Sequence, residues 1–165
     1  MPVKIEKLSD SNINAFIENA KGTYLAERKE ILERYLAEKN ERLAIVATLP
    51  GVGAVGYATL VRKSHYPYFD GIPEIMDLNT IEKYRGQGVA SAMLDYLEND
   101  AKECGYKTIG IGVGLYADYG PAQRLYIKRG YIPDGKGAVY DGKPVIAYDS
   151  YPIDDSLALY MTKKL

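Results

Sequence analysis

The 165-residue chain is poor in cysteine, histidine and tryptophan. Its single cysteine, Cys104, has no partner for a disulfide within the chain, which fits a reducing cytoplasm. Its single histidine, His65, together with that cysteine gives too few ligands for a zinc site of the His/Cys type. We therefore expect a cytoplasmic protein without a bound metal.

The chain also lacks an excess of charge of either sign. Lys and Arg number 21 and Asp and Glu number 22, so the formal net charge is −1, and no block of basic residues occurs. This balance argues against nucleic acid and against an anionic membrane surface as partners. No apolar run approaches the roughly 18 residues that a membrane-spanning helix needs, and the alternating, charged segment "MPVKIEKLSD" is unlike a signal peptide.

Tyrosine, in contrast, is abundant, with 16 residues beside 2 Phe. Each tyrosine adds aromatic bulk with a polar end, so some of them are expected to line wet clefts or a partner surface.

The length suffices for one domain with a proper core, and we predict a single domain over residues 1–165.

Hydrophobic periodicity predicts elements in the order β-α-α-β-β-β-α-β-α-β-β. The predicted strands include 3–9, 43–48, 55–61, 74–81, 107–115 and 157–163, and the longer helices cover about 24–40 and 86–105. Asp10 or Ser11 is the expected cap of the first helix. Strands two to four follow one another without helices between them, so the fold class is a mixed α/β sheet rather than a doubly wound one.

The stretch "KYRGQGVAS" places Arg85, Gly86 and Gly88 directly before a predicted helix. The first N–H groups of a helix have no internal partners and attract anions, and glycines allow a ligand to approach them closely. The frame Gly86-Gln87-Gly88-Val89-Ala90-Ser91 lacks the third glycine of a dinucleotide fingerprint. An anion site and a plain tight turn both explain these glycines.

Two segments resemble the signature of the GNAT N-acetyltransferase superfamily. "DLNTIEKYRGQGVASAML" carries its [Q/R]-x-x-G-x-[G/A] motif as Arg85, Gly88 and Ala90. "PAQRLYIKRGYIPDG" is similar to its A-x-x-L-Y-x-K-x-G-[F/Y] run, with the matching residues Ala122, Leu125, Tyr126, Lys128, Gly130 and Tyr131. The order and spacing of the two segments also match the family, and the surrounding run is similar to that of a bacterial branch.

The resemblance implies acetyl-CoA as the cosubstrate, with its pyrophosphate on the amides of Gly86–Ser91 and beside Arg85. It also implies that strand four parts from strand five, often at a bulge, and that the pantetheine arm pairs with strand four near Leu78 and Thr80. Further cofactor contacts are expected at Tyr119 and Ala122, although many members have asparagine where this chain has Tyr119.

For the chemistry, the resemblance places Tyr126 near the sulfur of coenzyme A, where it would protonate the leaving thiolate. The alternative for Tyr126 is a half-buried aromatic residue without a chemical role. Keeping a lysine-like amine neutral at pH 7 costs roughly 4–5 kcal/mol, so a base is needed. Strand four offers Glu74 and Asp77; we predict Glu74 as the base, since some members carry a titratable residue there, and a solvated carboxylate at the strand end is the alternative.

Two further features bear on the acceptor. The alternating Gly110, Gly112 and Gly114 leave one face of strand five bare, which favours a closely packed helix over a bound substrate. The acidic, tyrosine-containing segment 134–155 and the loop around His65 suggest a site for a cationic amine, with a solvated surface hairpin as the alternative.

The predicted function is acetyl transfer to a primary amine of a small molecule by direct attack. Two alternatives stay open, a catalytically silent acyl-CoA sensor and a protein N-terminal or lysine acetyltransferase. The resemblance also allows a homodimer.

Overall fold

The computed structural model describes residues 2–165, in which an eight-stranded sheet is flanked by four α-helices. The strands are β1 (Lys4–Lys7), β2 (Arg42–Leu49), β3 (Gly53–Val61), β4 (Glu74–Thr80), β5 (Thr108–Gly114), β6 (Ile132–Tyr140), β7 (Lys143–Pro144) and β8 (Leu157–Lys164). The helices are α1 (Asp10–Asn19), α2 (Lys29–Ala37), α3 (Val89–Glu103) and α4 (Gly120–Lys128).

The strands lie in the order β1-β2-β3-β4-β5-β8-β6-β7. All neighbouring pairs are antiparallel except β4 and β5, which are parallel because α3 connects them. The predicted fold class and element order are confirmed, with one addition, the two-residue β7 at the sheet edge. The predicted second helix is shorter than expected, because a 3₁₀ turn at Tyr24–Arg28 replaces its start.

The first helix begins one residue earlier than the sequence suggested. Ser9, rather than Asp10 or Ser11, is its cap: the Ser9 hydroxyl accepts from the N–H of Asn12, and the Asn12 side chain accepts from the N–H of Ser9. The extended backbone of Ser9 allows this reciprocal pairing, which leaves the Asp10 carboxylate in the first turn.

The helices cover opposite faces of the sheet. On one face, α3 buries Met93, Leu94 and Leu97 against apolar side chains of β2 to β5. On the other, α1 and α2 bury Phe16 and Leu32 among others against β2 and β3. Within residues 2–165, no helix has the length and apolar character needed to cross a membrane.

The start of α3 lies very close to the sheet at Gly56 of β3. A Cβ on Gly56 would lie 3.1 Å from Val89 and 3.2 Å from Met93, and 2.7 Å from the carbonyl oxygen of Asn79. Because a side chain at this position would push α3 away, Gly56 sets how closely the helix start approaches β4.

Three aromatic rings cover the alternating glycines of β5. The pairs are Gly110 with Phe69, Gly112 with Tyr160 and Gly114 with Tyr119. A Cβ on Gly110 would lie only 2.2 Å from the Phe69 ring. The prediction of a closely packed helix on this face is therefore wrong, because rings from a loop, from the neighbouring strand and from the turn before α4 occupy it.

Candidate functional site

Strands β4 and β5 part halfway along their length. They pair only at Glu74 with Gly110 and at Ile75 with Ile111, although β4 continues to Thr80 and β5 to Gly114. The divergence follows from a bulge in β4, where Asp77 adopts a positive φ of 52°. The bulge shifts the register with β3 between Tyr57 and Thr59.

Leu78 and Thr80 lie in the parted section, as the resemblance implied. In this section, none of residues 2–165 forms strand pairs with the edge of β4 that faces β5, because the pairing with β5 ends at Ile75. An extended chain with amide groups, such as a pantetheine arm, can use such an edge for hydrogen bonds.

The loop that follows β4 leaves six consecutive amides without partners. In residues 2–165, no backbone or side-chain acceptor bonds the N–H groups of residues 86–91, whereas the N–H of Arg85 bonds Glu82 and that of Ala92 bonds Gly88. Gly86 and Gly88 have φ values of 74° and 80°, which side chains rarely adopt. The first turn of α3 contains no acidic residue, so these amides and the helix dipole form a site for an anion.

The side chains around these amides differ in their roles. Arg85 is exposed, and its Nε donates to the carbonyl of Thr80 at 3.4 Å, which holds the guanidinium beside the end of β4. Gln87 is exposed, while Ala90 and Ser91 are half-buried. Val89 buries its side chain in the core, so only its amide faces the loop. The predicted residues Arg85 to Ser91 are thus brought together beside Thr80, and the set fits the diphosphate of an acyl-CoA.

Tyr126 on α4 is buried in the apolar cluster under α3, with 5% of its surface exposed. Its ring lies 5.9 Å from that of Tyr131. Burial raises the pKa of Tyr126 well above its usual range, so the phenol keeps its proton at neutral pH. A protonated phenol can donate a proton but cannot serve as a base. Ala122, one turn earlier, packs half-buried against the same cluster.

Tyr119 occupies the end of β5. Its ring covers Gly114, and its hydroxyl donates to Asp155 at 2.8 Å, as does that of Tyr116 at 2.5 Å. An amide side chain also reaches this strand end one turn later, where the Nε2 of Gln123 donates to the carbonyl of Gly114 at 2.8 Å. No sequence signal marked Gln123, and the sequence placed Asp155 in the acidic segment without its tyrosine partners, since these contacts form only through the fold.

Glu74 is a buried carboxylate at the first of the two paired positions, one residue before the pairing with β5 ends at Ile75. Its side chain is 5% exposed and accepts a 2.5 Å hydrogen bond from Ser64. Burial raises the pKa of Glu74, and Ser64, His65 and Arg42 oppose that rise. The alternative of a solvated carboxylate at the strand end is therefore wrong. The pairing with Gly110 places Glu74 on the face of the sheet where the aromatic rings lie.

Asp77, the other carboxylate of β4, is already engaged. The Tyr35 hydroxyl on α2 donates to it, and burial together with this hydrogen bond raises the pKa of Tyr35 to about 12. The Arg42 guanidinium lies 4.1 Å from the centre of the Tyr35 ring and donates to Thr59 at 2.8 Å. Asp77 thus belongs to a network that fastens α2 to the bulge.

Tyrosine hydroxyls also hold the carboxylates of the acidic segment. Tyr66 donates to Asp134 at 2.7 Å and Tyr140 to Asp154 at 2.8 Å, in addition to the pair on Asp155. Tyr66 in turn stacks on Tyr160, with ring centres 3.6 Å apart. The high tyrosine content therefore serves largely to fasten loops to the sheet.

The sequence model of the acetyltransferase (GNAT) family matches residues 9–131. A search of curated proteins found no match.

Solved structures share the fold at low sequence identity. An N-acetyltransferase from Staphylococcus aureus Mu50 has a TM-score of 0.68 at 19% identity, covering 99% of each chain. A ribosomal-protein-alanine N-acetyltransferase from Brucella melitensis has a TM-score of 0.66 at 18% identity, covering 98% of this chain and 99% of the other. An aminoglycoside 6'-acetyltransferase of type Ii has a TM-score of 0.68 at 18% identity, covering 99% of this chain and 97% of the other.

Proposed function

Since the chain belongs to the acetyltransferase (GNAT) family and is an acyltransferase, we propose that it transfers the acetyl group of acetyl-CoA to a primary amine of a small molecule by direct attack. The observation that carries this proposal is the buried Glu74, which lies where β4 and β5 part. We further propose that residues 1–165 act as one domain and that the enzyme works in the cytoplasm, where acyl-CoA is made.

Different residues of the chain bind different parts of acetyl-CoA in this proposal. The amides of residues 86–91 and Arg85 hold the diphosphate, and the free edge of β4 at Leu78 and Thr80 orients the pantetheine arm. Bound acetyl-CoA supplies the activated acetyl group. The end of β5 lies across the gap from β4, and its surroundings are formed by Ala122, Tyr119 and Gln123.

Glu74 is the proposed base. A carboxylate with a raised pKa accepts a proton from an ammonium ion more readily than an ordinary glutamate does. Tyr126, whose phenol is protonated, is the proposed donor of the proton that the thiolate takes up. Cys104 is exposed at the C-terminal end of α3, the end opposite to the unpaired amides, so no covalent acyl-enzyme is proposed.

A small acceptor is favoured over a peptide by the aromatic loop between β3 and β4. Phe69 and Tyr66 of this loop are buried against β5 and β8, which fills much of the face that an extended peptide would need. The similar folds named above include one protein named for an aminoglycoside and one named for a ribosomal protein, so the fold alone does not choose between them.

The proposal is tested by measuring thiol release from acetyl-CoA with a panel of small primary amines and with peptides bearing a free N-terminus or a lysine. We expect turnover that depends on a small amine. Tight coenzyme A binding without turnover would favour a sensor, and faster turnover of peptides would favour a protein acetyltransferase; either result would contradict the proposal.

Ser64 should set the pH range in which Glu74 works. Its hydroxyl accepts the N–H of Tyr66 at 2.9 Å, so its own proton points to Glu74 and stabilises the carboxylate. Without that hydrogen bond the pKa of Glu74 rises further, and the base is protonated at a higher pH. In Ser64→Ala, the acidic limb of the kcat/KM profile should therefore move to higher pH. At pH values below the pKa of Glu74, kcat/KM should be about tenfold lower than in the wild type.

The matched variant Ser64→Thr keeps the hydroxyl and should keep the wild-type limb. A profile of Ser64→Ala that falls equally at every pH would show a structural role only, and the explanation for the pKa of Glu74 would be wrong.

A further inference from the structure

A carboxylate of α3 that the proposed chemistry does not use is buried in the core. Glu98 is 8% exposed. It accepts from the Nη2 of Arg129 at 3.0 Å, from the Tyr131 hydroxyl at 3.0 Å and from the Nζ of Lys163 at 2.6 Å. A buried charge needs such partners, and here they join α3 to the end of α4, to the residue before β6 and to β8.

Two of these partners also contact Tyr126. The backbone N–H groups of Arg129 and Tyr131 both donate to the carbonyl oxygen of Tyr126, at 3.1 and 3.0 Å. The rings of Tyr131 and Tyr126 lie 5.9 Å apart. The single carboxylate of Glu98 therefore holds both residues that bond the backbone of Tyr126, and one of them also packs near its ring.

The Tyr126 phenol depends on this packing for its direction. Its hydroxyl forms no hydrogen bond with any of residues 2–165, but it is not fully inaccessible. A phenol without a polar partner is oriented only by its own backbone and by the side chains around its ring. A displacement of about 1 Å can cost on the order of 100-fold in rate, so this orientation matters for proton transfer.

The helix that begins with the unpaired amides is also the one that carries Glu98. Val89 opens α3, and Glu98 lies roughly 14 Å further along the helix axis. Because both sites belong to one continuous helix, the contacts of Glu98 fix the end of α4, and with it Tyr126, relative to the amides that would hold the diphosphate.

We propose that Glu98 is a positioning residue: by holding Arg129 and Tyr131, it directs the Tyr126 phenol towards the thiolate that leaves coenzyme A. The inference rests on the proposed function, in which Tyr126 donates the proton that this thiolate takes up. In that step the O–H bond of Tyr126 breaks as the S–H bond of coenzyme A forms, and the phenolate regains a proton from solvent. Glu98 does not touch the reacting atoms.

The test is a double-mutant cycle of Glu98→Gln and Tyr126→Phe, with kcat measured for an amine acceptor at saturating acetyl-CoA. Glutamine keeps the shape of the side chain but loses the charge that holds Arg129. We expect Glu98→Gln alone to lower kcat by about 10- to 100-fold with an unchanged KM for acetyl-CoA, and to have no further effect in Tyr126→Phe. Additive losses in the double variant, or a Tyr126→Phe enzyme as active as the wild type, would overturn the inference.

Two further variants separate positioning from a general loss of folding. Tyr131→Phe removes one contact of Glu98 without leaving a charge unpaired, and it should also lower kcat only while the Tyr126 hydroxyl is present. Asp100→Asn is the matched control, because Asp100 lies on the same helix and pairs at 2.6 Å with Arg62, which follows β3 rather than α4. It should leave kcat unchanged; a loss equal to that of Glu98→Gln would contradict the positioning role.

A spectroscopic measurement distinguishes this inference from the proposed function. In protein labelled with ¹³Cζ-tyrosine, the Tyr126 signal, assigned through Tyr126→Phe, should shift when coenzyme A binds. Glu98→Gln should reduce that shift, and Asp100→Asn should keep it. This dependence without turnover of any amine would support the positioning role and contradict the transferase proposal. Turnover of amines with a Tyr126 signal that responds alike in all variants would do the reverse.

Discussion

Glu74→Gln should lower kcat/KM for the amine by about 10²- to 10⁴-fold at pH 7, the range that general-base catalysis contributes. Glutamine keeps the size of the side chain and can still accept from Ser64, but it cannot take a proton. The affinity for acetyl-CoA should not change, because Glu74 lies at the paired end of β4 and the diphosphate loop follows its other end. Steady-state kinetics and calorimetry measure the two quantities separately.

The pH dependence distinguishes a lost base from a damaged site. The activity of Glu74→Gln should recover as the pH rises towards the pKa of the acceptor amine, because more amine is then neutral without help. Asp77→Asn is the matched control, since it makes the same change on the same strand in a carboxylate that Tyr35 already engages. If both variants lost the same activity and neither recovered at high pH, Glu74 would not be the base.

The second large effect is expected at the start of α3. Gly88→Val should weaken acetyl-CoA binding by about 100-fold, because a side chain disfavours the φ of 80° and screens two or more amides that each contribute about 1.5–3 kcal/mol to a charged ligand. Pantetheine, which lacks the diphosphate, should bind wild type and variant equally. Calorimetry with both ligands provides the measurement.

Gly130→Val controls for backbone strain. Gly130 has a φ of 89° and, like Gly88, nothing within 4 Å of an added Cβ, but it follows α4 rather than the loop. It should lower stability without changing the affinity for acetyl-CoA. An equal loss of affinity in both valine variants would mean that strain, and not the loop amides, is being measured.

The sequence predicted the glycine turn and the unpaired amides before α3 because their determinants are local. Positive φ at Gly86 and Gly88 and the unpaired amides of a helix start depend on neighbours within a few residues. The parting of β4 and β5 was implied by the resemblance, and the bulge at Asp77 gives its physical cause.

Features that depend on distant contacts were not predictable in the same way. The cover of Gly110 comes from Phe69, some forty residues earlier in the chain. The burial of Glu74 and its bond to Ser64 require the loop before β4 to fold back over that strand.

The central claim is that the amides opening α3 bind the diphosphate beside the parted strands. It is tested most directly by following the backbone amide signals by NMR while coenzyme A, and separately pantetheine, is added. The account predicts that the amides of residues 86–91 shift with coenzyme A and stay in place with pantetheine. Binding of coenzyme A that leaves these six amides unmoved would contradict it.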